Sequence, residues 1–293
     1  MSAYIARRAG RAIVLLVLVT LLGFLLFTVL PGVHGSTSFP DYLKAIFLHF
    51  NFGYSGRDHQ PVLSLVVGRL PATLSLVVGA GLLAVALAVP LGVLAALRRG
   101  TSLDRVAMRT ALGILSMPVF WLGLILLYLF ASDIGKIPIF PGANSYVGLT
   151  ADPGKWFTSL ILPWLALGAA EAAIYSRLLR GRMLAAMDED YIRTARAKGL
   201  SEERVVWGHG AVAAVAGVVA VVGLDLGGLL SGAVLTETAF RIHGIGFLGY
   251  DAVAHADFAT VQGTVLLATM AVIVVGLIVD VGFAWLDPRV SAA

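Results

Sequence analysis

Residues 73–97 read TLSLVVGAGLLAVALAVPLGVLAAL, a run of 25 residues without a charged side chain. A helix needs about 20 mainly apolar residues to cross the hydrocarbon core of a bilayer, so this stretch predicts a transmembrane helix. The whole chain agrees with that reading, because 59% of its residues are hydrophobic and only 13% are charged. Soluble domains carry about 25% charged residues. We therefore take lipid to be the main solvent of this protein.

Five further apolar runs of similar length occur along the 293 residues. The six predicted spans are 12–30, 73–97, 106–131, 156–176, 209–235 and 260–285. The predicted fold is an all-α membrane protein with six transmembrane helices. The predicted segments outside the spans are a terminus at 1–11, outer loops at 31–72, 132–155 and 236–259, an inner segment at 177–208 and a terminus at 286–293.

The distribution of Lys and Arg predicts the orientation of these helices. With the N-terminus inside, 15 of the 21 basic residues fall in inner segments and 6 in outer ones. Inner loops of membrane proteins are enriched in Lys and Arg, so both termini are predicted to be cytoplasmic. The basic residues form short clusters between apolar runs and no continuous basic face, which disfavours nucleic-acid binding.

Several other classes of site and segment are disfavoured by composition. The chain has no cysteine, which excludes disulfides and thiolate metal sites. Its six histidines lack metal-ligand spacing. The first apolar run follows three arginines, as a signal peptide does, but it is too long and no small-x-small cleavage site follows it. We therefore predict a retained first helix and no metal site.

The inner segment contains the most informative polar stretch, Asp188–Trp207, which reads DEDYIRTARAKGLSEERVVW. Asp188 is predicted to cap a short helix, and Gly199 to end it in a left-handed conformation. Ser201 and the two glutamates after it predict that a second helix starts at once. The stretch therefore predicts a short helix, a glycine corner and a second helix that leads into the fifth span.

Two interpretations of this stretch remain open from the residues alone. It is either a solvated basic loop or a rigid helix that docks into a cleft on a cytoplasmic partner. For docking, Tyr191 and Ile192 offer an apolar anchor, while Ala195, Ala197 and Gly199 are small enough for close approach. The candidate docking residues are Asp190, Tyr191, Ile192, Arg193, Thr194, Ala195, Arg196, Ala197, Lys198, Gly199 and Leu200.

Three carboxylates lie within predicted spans, at Glu171, Asp225 and Asp280. An ionised group at mid-bilayer costs about 2.5–3.5 kcal/mol, so such residues usually face the bundle interior or water. Glu171 and Asp225 are candidates for lining a water-accessible path between the helices. The alternative is that each pairs with a neighbouring helix or with a partner subunit, which is the preferred interpretation for Glu171 and Asp280, while the two interpretations are balanced for Asp225.

The stretch from Arg193 to Glu202, RTARAKGLSE, resembles the coupling segment of ABC importer permeases, and more narrowly that of the dipeptide and oligopeptide permease family. Further blocks resemble this family in order along nearly the whole chain. They are Phe52–Ser55 with Gln60–Val62, Arg69–Leu76, Ser116–Gly123, Glu237–Phe240, Gly244–Gly246, Asp257–Gly263 and Leu286–Arg289. Within Ser116–Gly123, Met117 and Phe120 are further candidates for the transport path.

The resemblance implies a type I ABC-importer-like permease in the bacterial cytoplasmic membrane. Its implied partners are a second homologous permease, two cytoplasmic ATPases and an extracytoplasmic binding protein. Cargo could be dipeptides, longer peptides, nickel chelates, glutathione or haem. Three departures from the family pattern stand out, namely the short first outer loop, Gly217 and His243, where proline is usual at the last two positions.

The chain is expected to be a transport subunit without enzymatic activity and without a bound cofactor. Its only Gly-Lys pairs, at Gly135 and Gly154, lack the surrounding P-loop pattern, so ATP and Mg²⁺ are expected on the partner ATPases. The alternatives are a stand-alone channel or secondary transporter and an intramembrane enzyme. The first leaves the capped inner helix unexplained, and the second lacks a catalytic constellation.

Overall fold

The computed structural model describes residues 2–29 and 38–286. Side chains are described within these ranges except for 2–9, 26–29, 278–286 and positions 216, 219, 220, 224, 226, 227 and 231. The side chain of Asp280, the tail after residue 286 and the part of the first outer loop at 30–37 lie outside the described residues.

The described chain is almost entirely helical. The helices are α1 (Ser2–Val29), α2 (Phe39–His49), α3 (Val62–Leu97), α4 (Ser102–Leu115), α5 (Val119–Phe130), α6 (Pro153–Met187), α7 (Asp190–Ala197), α8 (Glu202–Val205), α9 (Ala211–Leu224), α10 (Leu226–Phe240), α11 (Ile245–Ala254) and α12 (Phe258–Leu286), with a π-helical turn at Val206–Gly210.

Length and apolarity identify several of these helices as candidate membrane spans. Among the described residues, Val62–Leu97, Pro153–Met187 and Phe258–Leu277 are each long and apolar enough to cross a bilayer. The pair α4 and α5 passes the same test together, although its two helices are bent by 106°. This finding confirms a multi-pass helical membrane protein. The count of six spans and the position of the termini stay predictions.

The chain divides into two compact units, and the first comprises Met1–Leu74 and Arg241–Ala293. In it, α12 packs against α1 and α11. The buried core consists of apolar side chains from α2, the loop after it, the start of α3, α11 and α12. They are Ile46, Phe52, Val62, Val66, Leu248 and Leu266.

The second unit, Ser75–Phe240, is built around the long helix α6. This helix contacts α4, α5, α9 and α10. Small residues let α3 approach α6 closely, because a Cβ on Gly168 would lie 2.7 Å from the carbonyl oxygen of Ala80 and one on Gly92 would lie 2.8 Å from that of Ser176. The Trp164 indole also donates a hydrogen bond to the carbonyl of Ser75 at 2.9 Å. The buried core of the unit therefore centres on α6, with Tyr175, Leu179 and Met183 fully buried.

The structure corrects the expectation of one continuous helix at 106–131. This segment breaks between α4 and α5, and Pro118 stands directly before α5 as its N-cap residue. Proline has no amide hydrogen to donate and disfavours helical backbone at the residue before it, here Met117. By contrast, Pro163 lies inside the intact helix α6.

The predicted helix 209–235 is also interrupted, at Asp225. This residue ends α9 with φ −89° and ψ 0°, and α10 starts directly after it. Asp and the glycines that follow at 227 and 228 have low helix propensity, so interrupting the helix here costs little free energy. The amide and the carbonyl of Asp225 remain hydrogen-bonded, to the Val221 carbonyl and from the Leu229 amide, each at 3.0 Å. The interruption is therefore a local change of backbone direction that coincides with a half-buried acidic side chain.

The predicted loops contain more helix than the sequence indicated. The outer loop at 31–72 holds α2 and the first turns of α3, and the loop at 236–259 holds the end of α10 and α11. Helix α6 likewise continues to Met187, well beyond the predicted end of the fourth span at 176. The apolar runs located the helices, but polar helical turns that extend past such a run carry no hydropathy signal.

Candidate functional site

The short helix α7 follows α6 after a two-residue turn. Asp188 has helical backbone and closes α6, while Glu189 is extended, with φ −72° and ψ 152°, and occupies the N-cap of α7. The expectation that Asp188 caps the short helix is therefore wrong by one residue. Asp190 lies in the first turn, where a negative charge is favourable.

The C-terminus of α7 is closed by a Schellman motif around Gly199. The Gly199 amide donates to the carbonyl of Arg196 at 2.9 Å, and the Leu200 amide donates to that of Ala195 at 3.3 Å. Gly199 has φ +77°, the left-handed conformation that glycine adopts without steric cost. The predicted glycine corner is thus confirmed, and the chain turns sharply from α7 towards α8.

One side of α7 packs on its own chain. Ile192 is 0% exposed and forms a small apolar cluster with Ala195 and Val205, against which Met187 and Leu200 also pack. This burial removes Ile192 from the set of side chains that a partner could contact in this conformation. Ile192 instead anchors α7 to α8 and to the end of α6.

The other side of α7 is exposed. Tyr191 is 44% exposed and is the large apolar side chain on this face. Eight of the eleven candidate docking residues are exposed, namely Asp190, Tyr191, Arg193, Thr194, Arg196, Ala197, Lys198 and Gly199. The exposed surface combines one aromatic ring, small residues and charges of both signs, with Arg193 paired to Asp190 at 3.2 Å.

A salt bridge fixes the angle between α7 and α8. The Arg196 guanidinium donates two hydrogen bonds to the Glu202 carboxylate, at 3.0 and 2.6 Å. These bonds lower the pKa of Glu202 and raise that of Arg196. A bidentate arginine–carboxylate pair has a defined geometry, so α7, the corner and α8 are held as one body.

This body continues into helix α9 through the π-helical turn Val206–Gly210. Gly210 lies against the sulfur atoms at the end of α6, because a Cβ there would be 2.7 Å from Met187 Sδ. Single π-helical turns are rare and occur often at functional sites. A displacement of α7 would therefore act on both α6 and α9.

The second group of candidate residues lies in the same unit, where α6 packs against α9 and α10. The structure brings Glu171 of α6 and Asp225, between α9 and α10, together. Tyr175, one helical turn after Glu171, is fully buried and donates its hydroxyl to Asp225 Oδ2 at 3.2 Å. The carboxyl groups of Glu171 and Asp225 interact with each other and with Tyr175. Glu171 Oε2 is buried and has no hydrogen-bond partner among the described residues. The site can therefore accept a further donor.

Sequence reasoning did not identify Tyr175 as part of this group. The available signal was its spacing of four residues from Glu171, which places both side chains on one face of α6. Met117 and Phe120 are exposed at the corner between α4 and α5. Within the described part of the chain, no hydrogen bond or ring contact joins these two residues to the carboxyl pair.

A third polar contact connects α4 to α6. The guanidinium of Arg180 donates two hydrogen bonds to Asp104, at 2.6 and 2.7 Å, and Asp104 also accepts the Gly100 amide at 2.9 Å. Asp104 is buried although it lies between the predicted spans 73–97 and 106–131. Its partner is 76 residues away in sequence, so no local pattern could have indicated the pair.

Comparison with known proteins identifies the family to which this architecture corresponds. Residues 88–292 match the family model described as binding-protein-dependent transport system inner membrane component. The match covers the coupling-like segment, the carboxyl pair and the helices that hold them.

Several named relatives are similar over most of their length. The chain is 37% identical over 271 residues to the dipeptide transport system permease protein DppB of Escherichia coli strain K12, covering 85% of this chain and 80% of the relative. It is 35% identical to the di/tripeptide transport system permease protein DppB of Pseudomonas aeruginosa, with 99% of both chains covered. It is 34% identical to the probable peptide ABC transporter permease protein y4tP of Sinorhizobium fredii, again with 99% of both covered.

Proposed function

This chain belongs to the family of binding-protein-dependent transport system inner membrane components, and we propose that it is one of two membrane subunits of an ATP-driven importer of di- and oligopeptides. As a member of this family it is a transport subunit and not an enzyme. The peptide cargo is supported by relatives at 34 to 37% identity that are named for dipeptide, di/tripeptide or peptide transport.

The proposed complex contains four kinds of subunit in the bacterial cytoplasmic membrane. A second homologous permease completes the path, two cytoplasmic ATPases bind ATP and Mg²⁺, and an extracytoplasmic binding protein delivers the peptide. This chain crosses the membrane six times with both termini in the cytoplasm. The excess of Lys and Arg in the inner segments supports that orientation.

The observation that carries the proposal is the two-sided construction of α7. The side of α7 that packs on its own chain is held by Ile192, and the end of the helix is held by the Schellman motif and the Arg196–Glu202 bridge. The opposite side of α7 is exposed. A rigid helix with a free face can bind a groove on a partner and move with it. Coupling requires that ATP-bound and ATP-free partners bind this face in different positions, which α9 then follows.

The proposed transport path includes the Glu171–Asp225 pair. A carboxyl pair with a buried, unsatisfied oxygen is suited to accept the amino group of a passing peptide. The helix break at Asp225 supports this role, because interrupted helices in transporters place polar groups at substrate sites. Met117 and Phe120, at the other helix break, are proposed as apolar contacts along the path.

Site-specific cross-linking tests the docking proposal directly. The chain contains no cysteine, so Ala197→Cys creates a single reactive thiol on the exposed side of α7. We expect a bifunctional cross-linker at this thiol to capture an ATPase subunit from native membranes. Asp58→Cys, exposed on the predicted outer side, is the matched control and should capture none. Transport that persists while Ala197→Cys captures no ATPase would contradict the docking role.

Peptide uptake by Asp225→Ala tests the path. Removal of this carboxyl should lower ATP-driven uptake of a dipeptide several-fold, because the amino group loses an acceptor in a poorly solvated place. ATPase capture at Ala197→Cys should stay unchanged in the same background. Uptake equal to that of the wild type would remove Asp225 from the path without affecting the docking proposal.

A further inference from the structure

A groove of about 540 Å³ runs between α4 and α6 on the surface of the second unit. Its volume falls within the range of small-molecule sites, about 300–1,000 Å³. Most of its wall is apolar, formed by residues on consecutive turns of the two helices. These residues are Met108, Leu112 and Leu115 on α4, and Ile174 and Leu178 on α6.

Positive charge is concentrated at one end of this groove. Arg177 and Arg180 line it, and Arg105 lies on the same face of α4 one turn before Met108. Arg180 is neutralised by Asp104 through the two-bond salt bridge. Arg105 and Arg177 are exposed, and no salt bridge involving either is present in the described structure. The end of the groove therefore retains two positive charges without local compensation.

The distance from the arginines to the far apolar end of the groove is comparable with the length of a phospholipid in one leaflet. Arg105 and Leu115 are ten residues apart, which corresponds to about 15 Å along a helix. One leaflet is half of a hydrocarbon core of about 30 Å, so the distance from Arg105 to the far apolar end of the groove is about one leaflet thickness. The apolar wall alone, from Met108 to Leu115, covers about 10 Å of that length. A second protein helix would fill the apolar wall but would not account for the guanidinium groups at its end.

We propose that the α4–α6 groove is a binding site for an anionic phospholipid. Its phosphate lies between Arg105 and Arg177, and one acyl chain lies along Leu112 and Leu115. The Asp104–Arg180 bridge does not contribute net charge but holds α4 against α6, and so keeps the walls of the groove in place. The inference requires only that the chain spans a membrane and is independent of the solute that it transports.

Native mass spectrometry of the full-length chain in mild detergent tests this site. The probes are phosphatidylglycerol and phosphatidylcholine with identical acyl chains, added at equal concentration. An arginine near a membrane surface contributes about 1 kcal/mol to binding of anionic lipid, or about a fivefold preference. We therefore expect the wild type to retain phosphatidylglycerol well above phosphatidylcholine, and Arg177→Gln to reduce this preference about fivefold.

Two further variants separate the site from general surface charge. Arg182→Gln removes an exposed arginine from the same helix as Arg177, but the Arg182 guanidinium lies against Gly217 of α9 and not in the groove, so this variant should leave the preference unchanged. Leu112→Trp should fill the groove and reduce retention of both lipids. Equal retention of the two lipids by the wild type, or equal losses in Arg177→Gln and Arg182→Gln, would overturn the proposal.

The competing occupant is the second permease subunit. A single thiol at Leu112→Cys should react with a lipid-soluble maleimide in the assembled transporter if a lipid occupies the groove. Protection of that thiol together with its cross-linking to the second permease would assign the groove to a subunit interface and overturn the lipid site.

Discussion

At the scale of single residues, the most informative position is Gly199. It adopts φ +77° at the end of α7, and a Cβ placed there would meet no atom within 4 Å. Its requirement for glycine therefore comes from the backbone and not from crowding. The left-handed conformation costs an ordinary L-residue about 1–2 kcal/mol, whereas asparagine adopts it more readily.

This argument predicts a graded series of variants at the corner. Gly199→Val should distort the turn between α7 and α8 and lower ATP-driven peptide uptake clearly, while Gly199→Asn should retain most of it. Because the position is exposed, both variants should reach the membrane in normal amounts. Equal uptake by the valine and asparagine variants would show that the left-handed turn is not needed for coupling.

A second residue-scale feature is Asp257, which is 7% exposed at the start of α12. Its carboxylate accepts hydrogen bonds from the hydroxyls of Ser55 at 2.5 Å and Thr260 at 2.8 Å, and from the Gly56 amide at 3.2 Å. Burial raises the pKa of Asp257, but these hydrogen bonds together outweigh burial and lower it below its ordinary value. The residue therefore connects the loop before α3 to α12.

The lowered pKa predicts how this connection depends on pH. A carboxylate with a depressed folded pKa stabilises the protein at pH values above about 3.9, the unfolded value, and this stabilisation is lost as the pH falls through the folded pKa. Asp257→Asn should reduce stability near neutral pH by about 1–3 kcal/mol. Thermal unfolding of the full chain in detergent should show the two proteins converging as the pH drops below 4. A difference that is constant from pH 7 to 3 would be inconsistent with an ionised Asp257.

At the scale of elements, the second unit depends on close backbone approach to α6. Gly168 faces the backbone of α3, where a Cβ would come within 2.7 Å of the Ala80 carbonyl oxygen. Gly181 lies on the same helix, and a Cβ there would meet nothing within 4 Å. The two glycines have the same intrinsic helix propensity, so they differ only in packing.

A pair of alanine substitutions isolates this packing contribution. Gly168→Ala should push α3 away from α6 and destabilise the protein by about 1–3 kcal/mol, the usual cost of overpacking. Gly181→Ala should be neutral or stabilise the helix by up to about 1 kcal/mol, since alanine is the better helix former. Thermal stability by fluorescence-detected size exclusion measures both. A destabilisation of the same size at both positions would contradict the close approach of α3 to α6.

At the scale of the whole molecule, the central prediction is the orientation in the membrane. Exposed positions suited to single-cysteine labelling occur in the predicted outer loop, at Asp58, and in the predicted inner segment, at Glu203. A membrane-impermeant maleimide applied to intact cells should label Asp58→Cys and not Glu203→Cys, and permeabilised cells should label both. Labelling of Glu203→Cys in intact cells would place the α7 segment outside and exclude docking to a cytoplasmic ATPase.

The sequence by itself determined that the protein lies in a membrane and is helical. It also determined the family that the chain resembles and the position of the corner at Gly199. Each of these depends on signals that are local or sum along the chain: apolar runs, charge balance, motif order and one glycine after a capped helix. The break at Pro118 belongs to the same group in principle, since its physical cause is local, although the continuous apolar run concealed it.

Only the tertiary structure decided which polar groups meet. It placed Tyr175 between Glu171 and Asp225, joined Arg180 to Asp104, and turned Ile192 inward as an anchor. The physical reason is that such pairings depend on how helices pack, and partners separated by 50 or 76 residues leave no periodic trace in the sequence. The hydropathy of a residue indicates whether it prefers lipid or water. Which partner hydrogen-bonds or pairs with a buried charge depends on how the helices pack, and hydropathy does not contain that information.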